Sequence, residues 1–344
     1  MASTSQEPTR RHRDLIVAGA SAGGVEALAK LVADLPPELP AAMLVVLHVL
    51  STGTSVLPNI LDRAGPLPAT SARHHELIER GHIYVAPPDH HMLVADDHIE
   101  LTHGPRENGH RPAIDPLFRS AARSRGERVI AVVLSGALDD GTAGLQVVQR
   151  AGGTTLVQDP DEALYEGMPR SAIEHGAADH VVELRAMADA ICDLIDSPIE
   201  AAADPEPVPE LDHGPLDIAE RAPLRGDASG LTCPECGGAL WEQQDGDVVR
   251  FRCHVGHAYS AESMQAEQGL ALEAALWSAL RSLEERAGLF RRLARRLAAS
   301  AETEQRYERK AAEMVRHADA VRQTIADLGR APAPPSTNEG ESAA

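Results

Sequence analysis

The chain has 344 residues, enough for one large domain and a smaller one. Hydrophobic residues make up 43% of it and aromatics only 3%, so a sizeable core must be assembled from Ala, Val, Leu and Ile. Its 52 acidic against 32 basic residues give a formal charge of −20, which excludes a general nucleic-acid surface and argues against docking on anionic lipid. A polar start with only a short apolar run behind it is not a signal peptide, and the longest apolar run, Ala41–Leu50, is far short of the ~20 residues that span a bilayer. A cytoplasmic location without membrane insertion is expected. Four cysteines in such a chain do not make a disulfide framework.

Across residues 12–196, short β-rich runs alternate with helical segments. Strands are predicted at Leu15–Ala20, Met43–Val49, His82–Ala86, Val129–Leu134 and Thr154–Gln158, with helices such as Val25–Leu35 and Thr142–Arg150 between them. This spacing predicts an α/β domain: a doubly wound, mostly parallel sheet with helices on both faces, in three layers. Met92–Leu101 reads instead as a hairpin turning at Asp96-Asp97. Residues 197–230, rich in Pro, Ala and acids, are expected to be a linker, because they cannot bury enough apolar surface to order themselves. A compact cysteine-containing ribbon follows at 231–260. From 261 to 329, Leu276, Leu280, Leu283, Ala287 and Phe290 step by four and three, as do Tyr307, Ala311, Met314, Ala318 and Val321. That heptad pattern is a helical hairpin or a coiled coil, and as a coiled coil it would make a homodimer. Gly329 and Pro332 end the helix, and 330–344 is expected to be a disordered tail.

Gly19-Ala20-Ser21-Ala22-Gly23-Gly24 follows a strand and opens a helix. Gly-x-Ser-x-Gly in that context is a nucleophile-elbow pattern, with helix-initial amides beside the serine ready for an oxyanion. Two rival readings exist: Ser21 as an ordinary helix N-cap, and a dinucleotide cradle, for which the Gly-x-Gly-x-x-Gly spacing is absent. His48 lies just beyond the run Met43–Leu47, at the carboxyl end of a predicted strand, where open α/β sheets build their clefts. A third strand ends in Leu134-Ser135-Gly136-Ala137-Leu138-Asp139-Asp140-Gly141. One of its two carboxylates could fix the imidazole, while the other caps the following helix.

Cys233-Pro234-Glu235-Cys236 and Cys253-His254-Val255-Gly256-His257 stand sixteen residues apart. Thiolates and imidazole in this C-x₂-C, C-x₃-H arrangement suit a closed, structural zinc site. Cys233, Cys236 and Cys253 are the thiolate ligands, and His257 is preferred over His254 as the fourth because it clears Cys253 by a turn. Ala239–Glu242 and Val248–Arg252 read as a hairpin between the pairs. Cys192 lies in an apolar helix and belongs to the core.

Together with Gly81-His82-Ile83-Tyr84-Val85-Ala86-Pro87, His110-Arg111-Pro112 and Gly167-Met168-Pro169, these blocks occur in order across Asp14–Leu194. In this the region resembles the catalytic domain of the chemotaxis protein-glutamate methylesterases. The resemblance implies a cofactor-free Ser-His-Asp triad of Ser21, His48 and Asp140 (not Asp139), with oxyanion donors at the amides of Ala22 and Ala137. It implies hydrolysis of glutamate γ-methyl esters, or deamidation of glutamine, on methylated chemoreceptor-like helical signalling proteins. The chain departs from the family pattern at Leu47-His48-Val49, where Gln-His-Met is common, and at Ser135-Gly136-Ala137-Leu138, where Thr-Gly-Met-Gly is common. The family's receiver domain is also expected to be missing, so regulation would differ. A non-catalytic scaffold and a serine esterase for another ester are the competing readings; a scaffold would not need all three triad residues.

Overall fold

Long apolar runs set the order of the first half of the chain. The computed structural model describes residues 11–49, 53, 55–199, 226–245, 248–296 and 300–328. The interior of the expected linker, 200–225, and the expected tail, 330–344, lie outside the described residues. In chain order come β1 (Leu15–Ala20), α1 (Gly24–Ala33), β2 (Ala42–Leu47) and α2 (Leu57–Ala64). Three short strands follow, β3 (Ala69–Ser71), β4 (Glu76–Leu77) and β5 (Ile83–Val85). The hairpin β6 (His91–Ala95) and β7 (His98–Thr102) leads into α3 (Ile114–Arg125). Next are β8 (Val129–Val133), α4 (Thr142–Arg150), β9 (Thr154–Gln158), α5 (Gly167–Glu174), β10 (His180–Val182) and α6 (Leu184–Asp196).

Seven strands form one sheet in the order β10-β9-β8-β1-β2-β5-β3, and every neighbouring pair is parallel. β1, β2 and β8 are buried at every position, which is why they read as unbroken apolar runs. Their side chains alternate between two cores. Ile16, Ala18 and Ala20 pack with Leu28 of α1, Leu61 of α2 and Ile191 of α6. Leu15 and Val17 pack with Phe118 of α3, Leu145 of α4 and Met168 of α5. The sheet is therefore the middle of three layers, as the strand–helix alternation predicts. Because β2 and β8 flank β1 on opposite sides, the loops leaving all three converge at one carboxyl edge.

β11 (Asp227–Thr232), β12 (Ala239–Asp245), β13 (Val248–Cys253) and β14 (Ala258–Ser260) form an antiparallel sheet around Cys233, Leu240, Cys253, Tyr259 and Met264. This ribbon belongs to the compact unit Met1–Gln265, together with the large sheet; Ala266–Ala344 is a second unit. The second unit holds most of α7 (Ala261–Arg296) and all of α8 (Ala301–Leu328). Phe290 stacks on Tyr307 at 6.3 Å and Arg322 binds Glu284 at 2.7 Å, so the two helices run antiparallel as a hairpin. The heptad positions Ala287, Ala294, Ala311 and Ala318 are its buried seam. Among the described residues no helix is long and apolar enough to cross a membrane.

Candidate active site

Ser21 is the first residue beyond β1, and its amide is held by the Ser135 carbonyl at 3.0 Å. Gly23, not Ser21, is the N-cap of α1, at φ 73°, and no side chain caps that helix. The Ser21 hydroxyl is therefore not spent as a cap. A Cβ on Gly23 would lie 2.8 Å from Ser135 Oγ, so the turn needs glycine both for its positive φ and for space. At Gly136 a Cβ would lie 2.0 Å from Met168 Sδ and 3.0 Å from Ser21 Cβ. The Gly-Met-Pro block thus rests directly on the loop after β8, with the Met168 amide donating to Gly136 O at 2.9 Å.

His48 follows β2 and meets both partners expected of it. Its Nδ1 lies 3.2 Å from Ser21 Oγ and its Nε2 2.7 Å from Asp140 Oδ2. With the ring proton on Nε2, His48 donates to the carboxylate and leaves the Nδ1 lone pair to accept the serine hydroxyl. The His48 and Asp140 side chains are only 5% and 2% exposed, whereas Ser21 is half-buried and can be reached from outside. His110 stacks on the His48 ring at 3.7 Å and 15°. Burial first, then the neighbouring His48, pushes the His110 imidazole down to about 4, so it is neutral at neutral pH.

Asp140 is held by more than the imidazole. Its Oδ2 also accepts the Ile114 amide at 2.7 Å, and its Oδ1 accepts Asn108 Nδ2 at 2.9 Å and the Asp115 amide at 3.3 Å. Burial raises its pKa, but the His48 hydrogen bond and charge, the Ile114 amide and Asn108 outweigh this and hold the carboxyl well below the usual range. Asp115 is its counterpart: Oδ1 accepts the Gly141 and Gly144 amides at 3.2 and 2.8 Å. Neither Asp139 nor Asp140 caps α4, contrary to the sequence expectation that one of them would; Asp115, reaching across from α3, serves its first amides. Asp115 Oδ2 accepts Arg250 Nη1 at 2.9 Å, yet burial pushes this carboxyl up to about 6. Asp139 turns away and accepts Ser260 Oγ and Ser263 Oγ at 2.8 and 3.0 Å.

Sequence reasoning names none of Asn108, Asp115, Ser135 or Arg250 as site residues. Ser135 Oγ donates to Ala22 O at 2.8 Å and accepts the Tyr165 amide at 2.9 Å, tying three loops together. Only an alignment of relatives could have marked these single polar residues. The Ala22 and Ala137 amides have no backbone acceptor among the described residues. Leu164 lies beside Gly23 and the Tyr165 carbonyl accepts the Gly136 amide, and Leu138, Leu164 and Tyr165 are exposed by 37, 72 and 48%.

In the ribbon, one ligand atom from each of Cys233, Cys236, Cys253 and His257 lies within 4.8 Å of the others. Cys236 Sγ is 3.6 Å from Cys253 Sγ, and His257 Nδ1 is 3.6 and 3.5 Å from the Sγ atoms of Cys233 and Cys253. A sulfur pair at that distance is not a disulfide. It matches a tetrahedron edge of about 3.8 Å for bonds of about 2.3 Å. His257 Nε2 faces Glu235 at 2.5 Å, the carboxylate-to-imidazole support that metal-binding histidines carry. His254 is exposed and outside the cluster.

Residues 16–191 match the family described as CheB methylesterase. The chain is 36% identical over 191 residues to protein-glutamate methylesterase/protein-glutamine glutaminase 2 of Methanosarcina mazei, covering 53% of this chain and 52% of that protein. It is 40% identical over 191 residues to the protein of the same name from Bordetella avium, covering 54% of each. The chain thus spans about half the length of the curated relatives it matches. The crystal structure of the Thermotoga maritima CheB methylesterase catalytic domain superposes with a TM-score of 0.52 at 31% identity, covering 54% of this chain and 100% of that one. From its β1 strand to its α6 helix, then, this chain belongs to the CheB methylesterase family.

Proposed function

We propose that this protein is a serine esterase that hydrolyses glutamate γ-methyl esters on chemoreceptor-like helical signalling proteins. One observation carries the reading: a hydroxyl, an imidazole and a buried carboxylate meet at 3.2 and 2.7 Å, in the loops that follow three adjacent strands. Ser21 Oγ attacks the ester carbonyl carbon while its proton passes to His48 Nδ1. Asp140 steadies the imidazolium through Nε2. The amides of Ala22 and Ala137 receive the negative charge that develops on the carbonyl oxygen, each worth on the order of 10²–10³ in rate. The C–O bond then breaks, and methanol departs with the proton from Nδ1. Water, deprotonated by His48, cleaves the acyl-enzyme and frees the glutamate carboxylate.

The same sequence with ammonia as the leaving group would deamidate glutamine. The printed name of the relatives, which joins methylesterase to glutaminase, favours including that activity. The residues Cys233, Cys236, Cys253 and His257 would hold a structural zinc, since four protein donors leave no open position for water. No cofactor is needed for the proposed chemistry.

The test is methanol release from methylated receptor, with fluorophosphonate labelling as the check on Ser21. Wild-type protein should do both and Ser21→Ala neither, while its circular dichroism is unchanged. Labelling without methanol release would point to another ester, and absence of both to a scaffold.

A further inference from the structure

Three carboxylates, those of Glu107, Asp115 and Asp140, lie buried together, each residue 2% exposed. Arg119 of α3 meets two of them, with Nη2 2.7 Å from Glu107 Oε2 and Nη1 3.8 Å from Asp115 Oδ2. A second cation comes from the ribbon. Arg250 of β13, itself buried, places Nη1 2.9 Å from Asp115 Oδ2 and Nη2 2.9 Å from Glu107 Oε2. Buried charge of one sign is strongly unfavourable unless it is paired, so the guanidinium offsets an acidic surplus that the three-layer domain carries next to its active site.

We propose that the ribbon is a positioning element of the esterase site, with Arg250 as a positioning residue that acts on Asp140 through Asp115; this rests on the esterase reading above. The connection is short. Asp115 fixes the loop of Asp140 through the Gly141 and Gly144 amides, and its own amide donates to Asp140 Oδ1. A second link runs through Asn108. Its Oδ1 accepts the Ser260 amide at 3.0 Å and its backbone amide donates to Ala258 O at 2.8 Å, both from the ribbon. Its Nδ2 meanwhile donates to Asp140 Oδ1 at 2.9 Å. The ribbon also holds Asp139 through Ser260, joined by Ser263 in the first turn of α7. Two consecutive residues of the loop after β8 are thus fixed by a module outside the α/β domain. Arg250 lies three residues before Cys253 on the same strand, so whatever fixes that cysteine fixes the guanidinium.

The experiment compares full-length wild type with Arg250→Met, Arg250→Lys and the double variant Arg250→Met/Glu107→Gln, at matched metal content, by methanol release. Without the guanidinium, Asp115 and the Asp140 loop move. Arg250→Met should therefore lower kcat by about 10- to 100-fold, with KM within about twofold, as small misplacements of reacting groups do. Lysine supplies charge but not the fork, so Arg250→Lys should fall between wild type and the methionine variant. The double variant restores the charge sum and should recover part of the lost kcat. A folded Arg250→Met with wild-type kcat, or with a raised KM and unchanged kcat, overturns the proposal. Should that variant not fold, Arg250→Lys decides: a fall in kcat at constant KM supports positioning, and wild-type kcat overturns it. Fluorophosphonate labelling of the wild type separates the two claims. An unlabelled wild type sinks the esterase reading, whereas a labelled one with indifferent Arg250 variants sinks only the role of the ribbon.

Discussion

Asp115 and Asp140 cap each other's helices: Asp140 accepts the Ile114 and Asp115 amides that begin α3, and Asp115 accepts the Gly141 and Gly144 amides at the start of α4. Asp140 thereby sits at the positive end of the helix that carries Asp115, and Asp115 at the positive end of the helix that follows Asp140. The exchange locks the β8–α4 loop to α3 and leaves one edge of Asp140 for the imidazole.

Asp140→Asn is expected to lower kcat by on the order of 10⁴, because an amide can no longer enforce the tautomer in which Nδ1 is the base. It should also lower stability, since the Ile114 amide, Asn108 and His48 all donate toward it. Asp115→Asn should cost about 3–5 kcal/mol, the usual penalty for breaking one side of a buried ion pair. Urea unfolding checks both. An Asp115→Asn midpoint equal to that of wild type would show that its four acceptor contacts carry no net stability.

Acid stability should depend on His110. Its folded pKa is about 4 against an ordinary 6.5, so between those values the unfolded chain takes up a proton that the folded one refuses. Its contribution is complete above about pH 6.5 and is lost as the pH falls toward 4, by up to about 3 kcal/mol. Asp115, raised to about 6, works the other way, since there the folded state keeps a proton that the unfolded state gives up. His110→Phe removes only the first contribution. The drop in urea midpoint from pH 7.5 to 4.5 should therefore be smaller in the variant, and an equal drop would refute the assignment.

Metal analysis should find about one zinc per chain. Chelation, or Cys233→Ser, should unfold the ribbon, whose small core is Cys233, Leu240, Cys253, Tyr259 and Met264. Near-ultraviolet circular dichroism from Tyr259 would report this, and kcat should fall in parallel. Ribbon dichroism that survives complete removal of zinc would separate the cluster from the fold of the module.

Gly136→Ala tests how closely the loops approach. Its Cβ would need space held by Met168 Sδ, and the flexible sulfur can move, whereas Ser21 Cβ at 3.0 Å cannot move without shifting the hydroxyl. About 1–3 kcal/mol of lost stability is expected from such overpacking. Met168→Ala should relieve most of that stability loss in the double variant but not the loss in kcat.

The large sheet was legible because a strand buried on both faces writes itself as an uninterrupted apolar run. β1 and β9 lie where the sequence puts them, and β2 and β8 differ by one or two residues at their ends. β3 and β10 were not legible: at three residues each, half-exposed at the sheet edges, they are made by pairing rather than by pattern. Ser21, His48 and Asp140 could be picked out because each follows a recognisable strand. Asn108, Asp115 and Arg250 could not, since a buried polar residue in a loop or an ordinary helix has no periodic signature. Arg250 in particular lies within the predicted strand Val248–Arg252, and nothing in that run signals the carboxylates it meets.

The position of Arg250 bears on how this protein can be divided for study. A cut drawn from sequence alone would fall after Asp196, where the last helix of the α/β domain ends. Such a fragment would keep Glu107, Asp115 and Arg119 and discard Arg250, the second of the two cations that face these carboxylates. The compact unit that keeps both guanidiniums with these carboxylates extends to Gln265, so fragment boundaries should follow the buried charges rather than the homology match.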